Sequence, residues 1–354
     1  MPGNKTSCVA VTGLNAGDSP APGVPVIRSL IEQKAWNGRI VGLAYDALDS
    51  GALDERACSS VYLLPYPGTG KDVLFERLMY IRKKEGINAV IPTLDAELPN
   101  FIALREDLAE AGIATFLPTE DQFKRRLKQN LDALCNELGI RTPKTRQVMD
   151  PAKLGIRRGD CPVMVKGLYY EAYLAHSPEE AAHFVQKIAA RWGYPVLVQD
   201  FIEGEEYNAA AVGDGKGAAL GIAGMKKLVF TDKGKGWACV SIDNRGLTAL
   251  AAKIIRALKW RGAIEVEAIL SKKDGCFYLI ELNPRFPAWI YLATAAGMNL
   301  PSLALALACG RKPKAKGLYQ PGVVFTNYTT NLITSLGKIG PLFTNGEVCY
   351  EKTV

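Results

Sequence analysis

The feature that constrains this chain most is the stretch from Gly262 to Pro287. Two apolar-rich segments, Ala263 to Leu270 and Phe277 to Leu282, flank Ser271-Lys272-Lys273-Asp274-Gly275, and the Asp-Gly pair between them predicts an antiparallel hairpin. Strand side chains alternate in direction, so Glu265 and Glu267 share one face of the first strand, while Glu281 and Asn283 share one face at the end of the second. Carboxylates and a carboxamide gathered on one face, with Arg285 immediately beyond, are costly unless a positive charge sits among them. An all-oxygen site for a hard cation such as Mg²⁺ meets that need, with phosphate oxygens completing the shell and Arg285 gripping the same phosphate. Glu265 is expected to stand apart, as a solvated charge on the hairpin surface.

The run Glu281-Leu282-Asn283-Pro284-Arg285, with Glu267 fourteen positions before Glu281, resembles the metal-binding hairpin of the ATP-grasp superfamily, carboxylate-amine ligase type. The likeness extends to the carbamoyl-phosphate synthetase large-subunit-like ATP-binding fold. It implies an α/β chain, of the α+β ATP-grasp kind, with an N-terminal parallel-sheet pre-ATP-grasp domain followed by two ATP-grasp subdomains. The boundaries read from the sequence are residues 1–118 for the N-terminal α/β domain and 119–204 for a connecting helix and small lid. Residues 205–312 hold the hairpin, and 313–354 form a C-terminal extension without an assigned role.

Composition agrees with such a chain and excludes several others. With 354 residues, 48% hydrophobic and 22% charged, it is long enough for two or three domains with real cores. The net charge of +7 is dispersed except for Lys124-Arg125-Arg126, and no aromatic-interleaved basic patch marks a nucleic-acid surface. Eight cysteines without a Cys-x-x-Cys spacing read as small buried residues of a reducing cytoplasm. Met1 to Lys5 leads into an apolar run too short for a signal peptide, and no segment approaches the ~18–20 apolar residues of a membrane span. Only His176 and His183 are present, which argues against histidine metal sites and His-dependent triads.

Taken in order, residues 7 to 117 alternate strand and helix. Strands are expected at Ser7–Thr12, Gly38–Ala44, Ser60–Leu64, Ala89–Pro92 and Ala114–Leu117, and helices at Val24–Lys34, Asp72–Glu85 and Leu98–Ala111. Two stretches imitate nucleotide motifs. Gly13-Leu14-Asn15-Ala16-Gly17 lacks the Gly-x-Gly-x-x-Gly spacing of a dinucleotide fold, and Gly68-Thr69-Gly70-Lys71-Asp72 lacks both the first Walker glycine and the Ser or Thr after lysine. The Gly13 to Gly23 loop and Thr93 to Glu97 are candidate substrate contacts by resemblance. Capping of the following helix by Asp95 and Glu97 is the equal alternative.

Thr119 to Leu138 carries a helical apolar stripe of Phe123, Leu127, Leu131, Leu134 and Leu138 ending at Gly139. The resemblance places a phosphate-binding lysine at Lys128 and another, reaching the α- and β-phosphates, at Lys166, which ends the strand Cys161 to Lys166. A helix Ser177–Trp192 and a strand Pro195–Ile202 follow. The family's Gly-rich flap is altered here to Gly167-Leu168-Tyr169-Tyr170-Glu171-Ala172. The hinge that holds adenine corresponds to Gln199, Asp200, Phe201 and Ile202, whose backbone around Asp200 and Ile202 would supply donor and acceptor, and Glu206 matches the ribose carboxylate. Lys226 and Lys227 are the basic residues expected near the γ-phosphate, with Lys233 and Lys235 as loop charges.

The implied cofactors are ATP and Mg²⁺, with Mn²⁺ as its substitute. Glu267, Glu281 and Asn283 would hold the metal, and Arg285, Lys226 and Lys227 would serve the transfer. The implied reaction activates a carboxylate, of an amino acid or peptide, as an acyl phosphate and joins it to an amine. An acceptor of the nucleotide-biosynthesis kind and a non-catalytic ATP-binding scaffold are the rivals, the altered flap favouring the scaffold. Partners are therefore small-molecule or peptide carboxylates and amines, without nucleic acid or membrane, and the resemblance allows a homodimer.

Overall fold

The computed structural model describes residues 8–17, 20–33, 36–168, 171–231, 234–315 and 317–350. Residues 1–5, Tyr169, Tyr170 and Lys233, which enter the reading above, lie outside the described residues. Among the described residues the strands form three sheets.

The first sheet contains β1 (Cys8–Thr12), β2 (Arg39–Ala44), β3 (Ser60–Leu63) and β4 (Ala89–Ile91), all parallel, with β1 between β2 and β4. Every residue of β1 is buried, as the unbroken apolar run Cys8-Val9-Ala10-Val11 requires of a central parallel strand. The helix Lys71–Glu85 buries Leu74, Leu78 and Ile81, spaced one turn apart, and ends at Gly86 in the left-handed conformation. Two expectations fail here. Ala114–Leu117 is reduced to a single bridge from Ala114 to Ala89, because the Arg261 guanidinium takes the carbonyls of Thr115 and Leu117 at 3.2 and 2.6 Å. The helix expected over Leu98–Ala111 is interrupted at Leu104, giving Leu98–Ala103 and Arg105–Glu110.

The second sheet is antiparallel, in the order β5, β8, β6, β7, from β5 (Thr145–Val148), β6 (Val163–Lys166), β7 (Ala172–Ala175) and β8 (Val196–Asp200). The helix Pro178–Trp192 packs Ala181, Val185 and Ile188 into its core and is capped by Ser177, whose hydroxyl accepts from the Glu180 N–H at 3.2 Å. The strand β7 was not expected; just before it the Glu171 carbonyl accepts from the Gly167 N–H at 3.0 Å.

The third sheet runs β13, β12, β9, β10, β11, β14, from β9 (Gly204–Asp214), β10 (Ala219–Phe230), β11 (Gly236–Ile242), β12 (Arg261–Ser271), β13 (Phe277–Asn283) and β14 (Val324–Thr326). The expected hairpin is therefore β12 and β13. The helix Arg245–Leu258 is capped by Asn244 through the Leu247 N–H at 3.0 Å and buries Leu247, Ala251, Ile254, Ile255 and Leu258.

The chain divides into two compact units that are discontinuous in sequence. The larger comprises residues 1–122, 209–265 and 283–354, and the smaller residues 123–208 and 266–282. Within the larger unit the C-terminal extension has a defined place. β14 pairs with β11, the helix Leu336–Asn345 follows, and β15 (Glu347–Cys349) adds antiparallel to β3. The run Pro341-Leu342-Phe343-Thr344-Asn345-Gly346, turn-like in composition, is the end of that helix, with Pro341 inside it, Leu342 fully buried, and Gly346 in the left-handed conformation. Arg77 donates to the carbonyls of Leu63 and Gly346 at 2.9 and 2.8 Å, fastening the strand in place. Among the described residues no helix is long and apolar enough to cross a membrane.

Candidate active site

In the smaller unit Lys128 does not sit in the middle of a helix. The expected Thr119–Leu138 helix breaks: Glu120–Arg125 is α-helical, Leu127 is extended, Lys128–Asn130 is a short 3₁₀ turn, and Leu131–Leu138 resumes. Asn130 causes the break, since its carboxamide donates to the Lys124 carbonyl at 2.9 Å, the group a continuous helix would offer to the Lys128 N–H. Lys128 is thereby carried on a turn, and its Nζ lies 3.3 Å from Glu281 Oε1 on β13.

Lys166, at the end of β6, is partly buried and donates from Nζ to Gln199 Oε1 at 2.7 Å; Gln199 in turn donates to Thr145 Oγ1 at 2.9 Å. Burial, and then the charge of Lys128, push the Lys166 pKa below its ordinary value, while Glu281, Glu267 and Glu206 hold it up. That balance places Lys128 and three glutamates within electrostatic reach of Lys166. The structure thus brings together six residues singled out from the sequence: Lys128, Lys166, Gln199, Glu206, Glu267 and Glu281. Gln199, expected at the adenine hinge, has its side chain committed to positioning Lys166. Asp200 ends β8 and its N–H donates to Lys144 O at 2.9 Å, so it does not supply the donor of an adenine edge. Phe201 is exposed and Ile202 half-buried in the turn into β9.

The larger unit holds the rest. Glu265 is not a solvated surface charge: it is 3% exposed, and its carboxylate accepts from Trp289 Nε1 at 2.7 Å, Asn283 Nδ2 at 3.1 Å and Arg285 Nη1 at 3.5 Å. The Trp289 ring, from the helix entry after β13, covers what would be an open hairpin face, and this contact across 24 residues is invisible to strand alternation alone. Arg285 Nε also donates to Asp95 Oδ2 at 2.7 Å. Lys226 and Lys227 lie on β10 opposite Val240 and Cys239, not in a loop, and as strand neighbours they point to opposite faces. Lys227 Nζ donates to Gly234 O at 3.0 Å, tying it to the β10–β11 turn.

Glu97 is the N-cap residue of the helix Leu98–Ala103, as one of the two readings had it, but its side chain makes no capping hydrogen bond and serves another end. Fully buried, it accepts from the Thr12 hydroxyl, from Tyr45 OH at 2.5 Å, and from the N–H groups of Thr93 and Leu94 at 2.8 and 2.9 Å, and so locks the turn that presents Asp95 to Arg285. Burial raises its pKa despite those donors. Glu97→Ala is expected to cost about 3 kcal/mol by stranding buried donors. Glu97→Gln keeps one acceptor oxygen and should cost far less. A carboxyl whose folded pKa is raised contributes stability below its ordinary value of 4.5, which is lost as pH rises through the folded pKa. The wild-type melting temperature should therefore fall relative to that of Glu97→Gln as pH rises above the ordinary carboxyl value of 4.5, read by thermal melts of both.

Among the described residues no three His, Cys, Asp or Glu side chains converge as a metal cage. Within the smaller unit Glu267 and Glu281 offer two carboxylates near Lys166, a donor pair of the kind a hard cation takes.

Comparison with known proteins identifies the fold. The biotin carboxylase of Campylobacter jejuni, solved with a β,γ-ATP complex, aligns with a TM-score of 0.66 at 15% identity, covering 87% of this chain and 72% of that one. L-amino acid ligase from Bacillus licheniformis aligns with a TM-score of 0.65 at 15% identity over 86% of this chain and 75% of that one. The fold is the ATP-grasp fold. Residues 194–331 match the family described as ATP-grasp in the biosynthetic pathway with Ter operon. That match spans 138 of the 354 residues, and it agrees with the fold. Among curated proteins, the carbamoyl phosphate synthase large chain of Caldanaerobacter subterraneus is 27% identical over 55% of this chain and 19% of that protein. The chloroplastic phosphoribosylamine–glycine ligase of Arabidopsis thaliana is 26% identical over 56% of this chain and 43% of that protein. The chain thus spans less than half the length of these curated relatives.

Proposed function

We propose that this protein is an ATP-dependent ligase that activates a carboxylate, of an amino acid or peptide, as an acyl phosphate and joins it to an amine with release of ADP and phosphate. The observation that carries this reading is the cluster of Lys128, Lys166, Glu206, Glu267 and Glu281 within one unit, two cations for a polyphosphate beside carboxylates for a cation and a ribose. It is supported by the relatives, which include ligases joining carboxylates to amines.

In this reading Glu267, Glu281 and Asn283 hold Mg²⁺, or Mn²⁺ in its place, which neutralises charge on the transferring phosphoryl group. Lys166, kept straight by Gln199, meets the α- and β-phosphates. Lys128 exchanges Glu281 for phosphate oxygen when nucleotide arrives. The adenine donor falls to Ile202 and the ribose to Glu206, with Phe201 beside the base. Arg285, steadied by Asp95, grips the phosphoryl group where charge builds. Lys226 or Lys227, one face of β10 each, serves the same end.

The test is incubation with ATP, Mg²⁺ and pooled amino acids and short peptides, following phosphate release and new masses. ADP, phosphate and a condensed product lighter by one water support the ligase and name its substrates. AMP and pyrophosphate would sink the acyl-phosphate route, and Mg²⁺-dependent ATP binding without acceptor-stimulated phosphate release would favour the scaffold.

A further inference from the structure

Glu265 is a buried carboxylate with three donors on it, from Trp289, Asn283 and Arg285, all within the larger unit. Its two oxygens are used differently. Oε1 takes the indole N–H, which fixes the carboxylate plane against a ring that is itself buried, while Oε2 takes the Asn283 amide and the Arg285 guanidinium. A carboxamide has one donor end and one acceptor end, and only the oxygen can ligate a cation. With Nδ2 drawn to Glu265, Asn283 is held with its oxygen directed away from the carboxylate. We infer that Glu265 is a positioning residue for cation binding, fixing which end of Asn283 is offered to the metal and drawing Arg285 into line. The inference rests on the ligase reading for the identity of the bound group, but its contacts are independent of any substrate.

The arrangement has a reciprocal solution. Glu265→Gln places an amide among three donors, so one of its own N–H groups faces Asn283, Arg285 or Trp289, and Asn283 is free to turn. Asn283→Asp puts two carboxylates at the 3.1 Å separation of the present hydrogen bond. Combining them, Glu265→Gln with Asn283→Asp, restores the bond with donor and acceptor exchanged: the Gln amide donates to Asp, and the Gln oxygen still accepts from Trp289.

The experiment titrates Mn²⁺ into the full chain saturated with a non-hydrolysable ATP analogue, reading free Mn²⁺ by electron paramagnetic resonance, with thermal melts in parallel. Glu265→Gln should weaken cation binding by about 10–100-fold, the range for residues that orient metal ligands, a larger loss than that of metal-free nucleotide binding, which falls only as far as Arg285 is released. The double variant should recover at least tenfold of that loss, where a purely structural role would make the second substitution a further burden. Cation affinity unchanged in Glu265→Gln, or a double variant no better than the single, overturns the inference. Failure of the wild-type chain to bind the nucleotide would instead overturn the ligase reading, so the two are distinguished.

Discussion

Glu281→Ala is expected to lower acceptor-dependent phosphate release by about 10²–10³-fold, the scale of losing one preorganised charge-stabilising group. The fold should tolerate it. The Glu281 side chain is 27% exposed and its partner Lys128 is 22% exposed, so this ion pair lies in partly solvated surroundings, where such pairs contribute less than about 1 kcal/mol. Nucleotide affinity without metal should hold or improve, since Lys128 no longer exchanges a carboxylate for phosphate. Glu281→Gln keeps a ligating oxygen and loses the charge, and should fall between wild type and alanine. Equal turnover in Glu281→Ala and wild type would remove the carboxylate from the mechanism.

Lys166→Met should have the second large effect, severe for turnover and slight for stability. The ammonium is desolvated, as its lowered pKa shows, and it sits near Lys128, so the ligand-free fold bears the cost of that charge. Methionine removes the charge and fills a similar volume, but leaves Gln199 Oε1 without the donor it now has at 2.7 Å. These terms offset, and the melting temperature should move little, within about 1 kcal/mol of stability. Turnover should fall by about 10²-fold or more as the phosphates lose a fixed cation. Lys166→Arg would not rescue it, because a planar fork does not occupy the point position that Gln199 now holds. Calorimetric titration of nucleotide beside a melting curve separates the two effects.

The two lysines show where sequence reading reaches and where it stops. The parallel strands β1 to β4, the helix Lys71–Glu85 and the hairpin of β12 and β13 were legible because apolar periodicity and turn residues are local signals. The motif also named Glu281, Asn283 and Arg285 through spacing along one strand. Lys128 was named by the resemblance, yet its setting was misread, because the apolar stripe continues through Leu127 while a single Asn130 carboxamide diverts the backbone. Glu265 was misread for a related reason: strand alternation gives the face but not what covers it, and Trp289 lies outside the hairpin. Asp95 and Glu97 carried two readings, and neither anticipated that one buried glutamate would organise a turn so that its neighbour could reach an arginine 190 positions away. β14 lies inside Gly322 to Tyr328, a patch that reads as strand-like, whereas β7 and β15 were missed because each is short and has a single Val, Leu or Ile where β3 and β4 have two.

The antiparallel pairing of β15 with β3 also bears on how the protein is made. The outer edge of β3 is paired with a segment some 280 residues further along the chain. A ribosome adding about 5–20 residues per second leaves that edge bare for roughly 15–60 s after β3 has emerged. During that interval Ser60 to Leu63, with its unpaired backbone groups, is open to any extended chain nearby, including another nascent copy. Slow translation, or premature release before Glu347, should therefore surface as insoluble chains and not as a weakened enzyme.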